Sequence, residues 1–275
     1  MGVTNEQITR LSHLDTCAVS DALDALALPG AALGLHALTI PTRLTARVLT
    51  VDLRATDAPP TPHHPATPTT ETATPGEAIT APPPPTPRHP ATPATEAAAP
   101  GEAIATPPPP TPRHLGTAAV EAAAPGEVIV VSAGGRTDAA GWGGVLALAA
   151  VTRGVAGVVI DGACRDVDEA RDLGLPVYAR AGVPRTARGR LREVAWNEPV
   201  EMAGVAVRPG DAVIADGSGV VFVPAAHAAA VLLRAERIAA TEAAMAARVR
   251  AGEPVSRVMS GDYENMLRTE GTDHG

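Results

Sequence analysis

The sequence contains no lysine, and all 22 of its basic residues are arginines. Schiff-base catalysis, attachment of pyridoxal phosphate and the phosphate-binding lysine of P-loop proteins all need a primary amine, which a guanidinium cannot replace. The absence of lysine therefore excludes these three kinds of chemistry. Aromatic residues are nearly absent as well, at 2% of the chain, so we expect a core built from Val, Leu, Ile and Ala.

Cysteines and long apolar segments are also scarce. Cys17 and Cys164 are the only cysteines, and the first ten residues are polar, without the apolar run of a signal peptide or a membrane span. Two thiols in such a chain predict a reduced, cytoplasmic protein without disulfides and without a membrane partner.

Positive charge is in deficit. The 30 acidic residues outnumber the 22 basic ones, which gives a net charge of −8, and no basic stripe occurs along the chain. Because nucleic-acid binding depends on a concentrated positive surface, we expect no nucleic-acid partner.

What the first half does contain is a tandem repeat. Three Pro-Gly pairs lie 25 residues apart, at Pro75, Pro100 and Pro125. Only the third copy continues into a β-branched run, residues 128–131, while prolines interrupt the other two. We therefore predict one domain formed by residues 1–56 and 113–275, with residues 57–112 as a Pro/Thr/Ala-rich, disordered insertion.

Histidines recur in and beside the repeats, at His63, His64, His89 and His114. Repeated histidines can bind metal, but proline-rich flexible neighbours would not hold them in a defined geometry. We expect no metal site there.

Hydrophobic periodicity and turn residues predict alternating helices and strands in the remainder. Helices are expected at 5–27, 115–124, 145–153, 167–173 and 225–251. Strands are expected at 46–53, 128–131, 155–160, 176–179, 205–207, 212–215 and 220–223. A glycine-rich loop is expected at 134–144 and a turn at 161–164. This order is typical of an α/β sandwich with a mixed sheet.

The most informative spacing joins Gly144 to Arg165. Twenty residues lie between them, enough for one helix and one strand to return the chain to the same edge of the sheet. A helix N-terminus offers free amides to a carboxylate, Arg165 adds a bidentate donor, and Asp166 supplies an oxygen ligand for Mg²⁺. The structural alternative is that Arg165 and Asp166 merely cap a helix and that the glycines form a turn.

Several motifs in this order resemble a known family. They are Trp142-Gly143-Gly144, residues 153–162, Arg165-Asp166-Val167-Asp168-Glu169, residues 19–24, and residues 207–224. The chain resembles the 4-hydroxy-4-methyl-2-oxoglutarate aldolases and the regulator of ribonuclease E activity A-like (RraA-like) proteins over nearly its whole length apart from the two extra repeat copies.

The resemblance implies an α/β/β/α sandwich, an RraA-like swivelling-type domain, assembled as a homotrimer or hexamer with the site at a subunit interface. It implies cleavage of a small 2-oxo acid to pyruvate through a metal-stabilised enolate, by aldol cleavage or by oxaloacetate decarboxylation. The alternative is a non-catalytic regulator that binds a ribonuclease.

Residue roles follow from the same resemblance. Asp166 would hold Mg²⁺ or Mn²⁺, and Arg165 would bind the substrate's carboxylate or oxo oxygen. The segment from Gly143 and Gly144 to the amides of Val145 and Leu146 would cradle the pyruvyl carboxylate. A glutamate of a neighbouring subunit's last helix would join the metal, with Glu242 preferred over Glu236; a solvated helix position explains Glu242 equally well.

The chain departs from the family at Gly144, where the aldolases carry an acidic residue that positions water for proton transfer. Asp138 or Asp161 could replace it, or either could be a turn residue. Because aldol cleavage needs a base and decarboxylation does not, the loss predicts that decarboxylation survives better. The family's basic position after the next strand falls near Arg188 or Arg190.

Overall fold

The computed structural model describes residues 2–40, 43–56 and 115–259. The insertion predicted at 57–112, with its repeated histidines, lies outside the described residues. The helices are α1 (Asn5–Leu11), α2 (Thr16–Ala25), α3 (Thr117–Ala122), α4 (Gly144–Thr152), α5 (Val167–Asp172), α6 (Ala228–Arg250) and α7 (Val255–Val258), with a 3-10 turn at Ala225–His227 before α6. The strands are β1 (Ala31–Ala32), β2 (His36–Ala37), β3 (Leu44–Ala55), β4 (Val128–Trp142), β5 (Gly157–Cys164), β6 (Val177–Gly182), β7 (Leu191–Trp196), β8 (Val200–Met202), β9 (Val205–Val207), β10 (Ala212–Asp216) and β11 (Gly219–Val223).

Nine of these strands form one mixed sheet. Its centre is the parallel run β3–β4–β5–β6, in which Val51 pairs with Val131 and Val131 with Ile160. Antiparallel strands β10, β11 and β1 extend the sheet from β3, β2 closes the edge at β6, and β7 pairs with the second half of β3. Strands β8 and β9 form a separate hairpin.

Three hydrophobic cores show that the layers are α/β/β/α. Helices α3, α4 and α5 cover one face of the parallel strands, with Ile129 and Ile160 fully buried beneath them. The other face packs against the β8–β9 hairpin and β10–β11, and Phe222, Val130 and Val159 belong to the same buried cluster. Helices α1, α2 and α6 cover the outside of β10 and β11. The predicted sandwich with a mixed sheet is confirmed.

The helix expected over residues 5–27 is wrong in its middle, because α1 ends at Leu11 and α2 begins at Thr16. The side chain of Asp15 accepts a hydrogen bond from the amide of Ala18 at 2.8 Å and so starts a new helix. The helical spacing of apolar residues continues across this break, because α1 and α2 both bury their apolar residues in the core over β10 and β11.

The predicted loop at 134–144 and turn at 161–164 are also wrong, since β4 runs to Trp142 and β5 to Cys164. The two segments continue to pair with each other, through Arg136 with Gly162 and Trp142 with Cys164, although the register shifts between these pairs. Gly134 and Gly135 do adopt a left-handed conformation, with φ 61° and 74°, but they form a bulge within β4, because the segments on both sides of them still pair with β5. Strands β1, β2, β7 and β8 were not predicted. None of the helices in the described part of the chain is both long and apolar enough to cross a bilayer.

Candidate functional site

The predicted site forms where β4 passes into α4 and β5 passes into α5. Trp142 pairs with Cys164, and the carbonyl oxygen of Trp142 accepts a hydrogen bond from the amide of Arg165 at 3.0 Å. The start of α4 therefore lies beside Arg165 and Asp166, as the twenty-residue spacing predicted.

Asp166 binds the neighbouring helix instead of its own. Its Oδ2 accepts a hydrogen bond from the amide of Gly144, the first residue of α4, at 2.9 Å. Its backbone is left-handed, with φ 56° and ψ 41°, and its side chain makes no capping bond to α5. A non-glycine residue in this region costs about 1 kcal/mol or more and is enriched at functional sites. The interpretation of Asp166 as a simple cap of α5 is wrong.

Arg165 is held next to Asp166 and still faces solvent. Its Nε lies 3.1 Å from Asp166 Oδ2, and the two side chains are 40% and 29% exposed. The terminal nitrogens Nη1 and Nη2 donate no hydrogen bond within the described ranges, so both can bind a planar carboxylate.

The first turn of α4 offers further donors. The amides of Val145 and Leu146 have no acceptor among residues 2–40, 43–56 and 115–259, as is usual for the first turn of a helix. Gly143 before them is extended, with φ −159° and ψ −178°, and makes no side-chain cap. A Cβ on Gly143 would lie 3.0 Å from Arg165 Cγ and 3.1 Å from Asp166 Oδ2. The absence of a side chain at this position lets the backbone approach both functional residues.

Glu169 lies next to Gly144, and the sequence reasoning did not select it. A Cβ on Gly144 would overlap Oε2 of Glu169, and the same point lies 3.2 Å from Cβ of Asp166. A carboxylate therefore occupies the space beside Gly144, where family aldolases carry an acidic residue. Asp166 and Glu169 are three residues apart at the start of a helix, a spacing that puts both on one face and could have indicated the pair.

A groove of about 1010 Å³ opens at this point. Its wall near Asp166 and Arg165 is the start of α4, and its far wall includes Thr186, Arg188 and Glu193. Of the two basic residues left open by the sequence, Arg188 lines the groove. The guanidinium of Arg190 instead donates to the carbonyl oxygens of Thr186 and Arg188, at 3.3 and 3.4 Å, and braces the loop.

Neither aspartate considered as a substitute for an acid at position 144 reaches the groove. The carboxylate of Asp161 accepts hydrogen bonds from Arg180 Nε at 2.5 Å and from the amide of Ala203 at 3.0 Å. Asp138 forms an ion pair with Arg136, which holds the pKa of the Asp138 carboxyl below its ordinary value. Both carboxylates are therefore engaged away from Asp166.

The two glutamates of α6 lie away from the groove of their own chain. Glu236 forms a bidentate ion pair with Arg10, with both N–O distances at 2.8 Å. Burial, together with the charges of Asp15 and Asp21, raises the pKa of the Glu242 carboxyl. Glu242 could act on a groove only in a neighbouring subunit.

The residues present suit a magnesium-like ion. Mg²⁺ is commonly held by one or two carboxylates, with water and substrate oxygens completing the shell. Asp166 and Glu169 provide such a pair, and within the described residues no set of three or more acidic, histidine or cysteine side chains could enclose a metal. Burial raises the pKa of the Cys164 thiol to about 12, so this cysteine stays protonated and cannot act as a thiolate ligand or nucleophile.

Comparison with known proteins places this chain among known relatives. A family model described as RraA-like (Aldolase/RraA) matches residues 16–222. A 4-hydroxy-4-methyl-2-oxoglutarate aldolase of Thermus thermophilus is 37% identical over 97 residues, which is 35% of this chain and 58% of that protein. An uncharacterized protein of Methanocaldococcus jannaschii is 34% identical over 127 residues, covering 46% and 60% of the two chains. The matched part thus spans no more than about three-fifths of these curated relatives.

Solved structures share the fold. An uncharacterized protein from Pseudomonas syringae has a TM-score of 0.67 at 24% identity, covering 94% of this chain and 98% of its own. RraAS2 of Streptomyces coelicolor, titled an unusual member of the RNase ES inhibitor RraA family, has a TM-score of 0.60 at 22% identity, covering 86% and 93%. At these identities the likeness establishes the fold alone.

Proposed function

Because this chain belongs to the RraA-like (Aldolase/RraA) family, we propose that it is a divalent-metal-dependent lyase that cleaves a small 2-oxo acid to pyruvate. The observation that carries the proposal is the meeting of Asp166, Arg165 and the α4 amides at one end of a groove, with the exposed carboxylate of Glu169 next to Gly144. A carboxylate pair, a guanidinium and a helix N-terminus together can hold an acid group next to a hard cation.

Different residues would bind the substrate's carboxylate, its far end and the metal ion. We propose that Arg165 and the amides of Val145 and Leu146 hold the carboxylate next to the 2-oxo group, while Arg188 faces the far part of the substrate. Asp166 would bind Mg²⁺ or Mn²⁺ directly and Glu169 through a water molecule, and the ion when bound supplies Lewis-acid polarisation of the 2-oxo group. Asp166 would be oriented by the Gly144 amide, which donates to its Oδ2 at 2.9 Å.

Glu169 would handle the proton of the aldol reaction. In aldol cleavage the hydroxyl proton leaves, the C–C bond breaks, and its electron pair passes into the enolate of pyruvate, which is then protonated to pyruvate. We propose that the carboxylate of Glu169 takes up the hydroxyl proton, directly or through a water molecule. Oxaloacetate decarboxylation forms the same enolate by loss of CO₂ and needs no base. With a carboxylate beside Gly144, both reactions are open to the chain, and the balance between them depends on Glu169.

Self-association would complete the site. Val145 is 85% and Leu148 54% exposed on the outer side of α4, beside the groove. A helix without a single charged residue is usually covered by another protein surface. We propose a homotrimer or hexamer in which this face is buried and Glu242 of a neighbouring chain approaches Asp166. We also propose a cytoplasmic location, consistent with Cys17 and Cys164 both being free thiols.

The test is a screen of 2-oxo acids with and without Mg²⁺, with pyruvate as the readout, on the wild type and on Asp166→Asn. We expect metal-dependent pyruvate release, a metal-induced rise in melting temperature, and loss of both in Asp166→Asn. Asp168→Asn is the matched control, because Asp168 lies two residues away and pairs with Arg171.

A folded oligomer that neither turns over any oxo acid nor gains stability from Mg²⁺ would contradict the lyase. That result would favour the second candidate, a non-catalytic RraA-like protein that binds a ribonuclease. The observation on its side is Gly144, because the family's acidic residue is missing from that position of the chain.

A further inference from the structure

A second pocket, of about 450 Å³, lies on the other face of the parallel strands. Regular pairing of β3, β4 and β5 ends at Asp52, Ser132 and Asp161, and the pocket opens there. Val130 and Val159, two residues earlier on β4 and β5, belong to the core between the two sheet layers, so Ser132 and Asp161 face that side as well. We call this the arginine pocket, after Arg54, Arg136 and Arg180, which line it together with Ser132, Gly134 and Gly135.

Arg180 is held rigidly at this pocket. Its Nε donates to Oδ1 of Asp161 at 2.5 Å, and the Asp161 side chain is only 6% exposed. The other Asp161 oxygen accepts the amide of Ala203 at 3.0 Å, so this carboxylate is fully engaged. A Cβ on Gly135 would lie 3.5 Å from Arg180 Nε, and one on Gly34 would lie 3.0 Å from Nη1. The guanidinium is thus placed between two glycines and is preorganised by a buried acid.

Two more guanidinium groups are braced in the same way. Arg54 donates through Nε and Nη2 to Asp52, and Arg136 donates through Nε and Nη2 to Asp138. In each of the three arginines Nη1 donates no hydrogen bond to the part of the chain that the structure describes. One donor edge of each therefore remains for another acceptor.

Like charges also face each other across the adjoining strands. Arg54 on β3 is directly opposite Arg192 on β7. Two cations in opposed positions of an antiparallel pair destabilise it, and an anion between or beside them would relieve the repulsion.

We propose that the arginine pocket binds a small, doubly charged oxyanion, with a dicarboxylate as the preferred class. The carboxylates of Asp52, Asp138 and Asp161 balance three arginines and fix their orientation, and Glu201 adds a negative charge to the lining. Because the net charge of the pocket is not positive, we expect it to select a dianion by the placement of its guanidinium donors around the cavity. For the same reason we expect only moderate affinity for that dianion. The pocket shares no lining residue with the lyase groove, and the two adjoin only through the pair of Arg54, which lines the pocket, and Arg192, which lines the groove.

The experiment measures binding to the full-length protein without metal or oxo acid. Malonate, sulfate and malonamide are titrated at constant ionic strength set with chloride, and melting temperature and calorimetric heat are recorded. We expect saturable binding of malonate, weaker binding of sulfate, and none of malonamide, because the ligand needs two charged oxygen groups. Equal binding of sulfate would assign the pocket to tetrahedral oxyanions and overturn the dicarboxylate preference.

The variants separate this pocket from the groove. Arg136→Gln removes a half-exposed guanidinium and should weaken malonate about tenfold. The pair Asp161→Asn/Arg180→Gln removes both members of the buried ion pair, so that no buried charge is left alone, and should abolish binding. Glu201→Gln should strengthen binding about threefold. Arg165→Gln removes a carboxylate donor of the groove and can lower the total malonate bound, but it should leave the saturable component that Arg136→Gln weakens.

Three results would overturn the proposal. The first is an absence of saturable binding beyond the chloride background, which would make the arginines and aspartates a purely structural network. The second is binding that survives both arginine variants. The third is binding that disappears in Arg165→Gln, which would assign the anion to the groove. If the double variant does not fold, Arg136→Gln and Glu201→Gln still decide, because their expected effects are opposite in sign.

Discussion

Gly144 and Glu169 share one space. The Oε2 atom of Glu169 lies where a side chain at position 144 would begin, and Asp166 borders the same point. Position 144 lies on α4 and position 169 on α5, so a carboxylate delivered from one helix fills the place left open on the other. Position 144 has no acidic side chain of its own, but the carboxylate of Glu169 lies beside it.

Glu169→Gln should separate the two reactions. Aldol cleavage needs the carboxylate as a base, so its rate should fall about 100-fold, while decarboxylation, which needs none, should fall far less. Asp172→Asn, on an exposed position of the same helix, should change neither. The measurement is pyruvate release from a 4-hydroxy-2-oxo acid and from oxaloacetate under identical Mg²⁺ concentrations. An equal loss on both substrates would show that Glu169 serves only to bind the metal.

Moving the acidic side chain from position 169 to position 144 should preserve aldol cleavage, whereas changing either position alone should reduce it. Gly144→Ala introduces a methyl group where Glu169 Oε2 lies, so the glutamate should move and aldol cleavage should fall as in Glu169→Gln. The double variant Gly144→Asp/Glu169→Ala puts the acid on α4 and vacates the space on α5, and we expect it to recover most aldol activity. Failure of this variant to exceed Glu169→Ala, with melting temperature intact, would contradict the idea of a shared space.

Two glutamates of α6 should have opposite effects on stability. The ion pair with Arg10 lowers the pKa of Glu236 below its ordinary 4.5, so its ionised form stabilises the fold at neutral pH, and that stabilisation is lost as pH falls through the lowered pKa. Burial and the charges of Asp15 and Asp21 raise the pKa of Glu242 above 4.5, so its ionised form destabilises the fold at neutral pH and the penalty is absent below pH 4.5.

Melting temperatures of Glu236→Gln and Glu242→Gln should therefore diverge from the wild type at pH 7, the first downward and the second upward. Both differences should vanish in strongly acidic buffer, where wild-type carboxyls are protonated. These directions apply without added metal; with Mg²⁺ the proposed site of a neighbouring chain uses the Glu242 charge, so Glu242→Gln should then lose its gain. A lower melting temperature for Glu242→Gln at pH 7 without metal would contradict a destabilising charge.

Removing residues 61–110 should leave the domain working. The flanking residues are anchored within the described fold, because the amide of Thr56 donates to the carbonyl of Arg190 at 2.9 Å and the amide of Gly116 donates to Glu193 at 2.6 Å. A change in the length of a flexible connection changes its closure entropy only slightly. Melting temperature and pyruvate release of this variant, and of one lacking a single 25-residue copy, should match the wild type. A fall of many degrees would mean that the repeats pack on the domain.

Parts of the fold were predictable because they depend on local patterns. The strands over 205–207, 212–215 and 220–223 and the long final helix follow from short apolar runs between clear turn residues. The break between α1 and α2 and the extended course of β4 were not predictable in this way. The break follows from a local cap, Asp15, that the apolar spacing conceals, whereas the course of β4 is decided by pairing with the distant strand β5, which outweighs the local glycine signals.

For the site, the sequence by itself excluded the mechanisms that need a lysine amine, such as Schiff-base catalysis. It also determined that Gly144 and Asp166 meet, because one helix and one strand between them must return to the same edge. Only the tertiary structure decided which carboxylates lie beside Gly144 and which are held elsewhere. Asp161 is bound by Arg180, Asp138 by Arg136, and Glu169 occupies the space beside Gly144. The role open to a carboxylate depends on which hydrogen-bond donors lie next to it. Those donors belong to segments that are remote in the sequence, so only the tertiary structure fixes their distances.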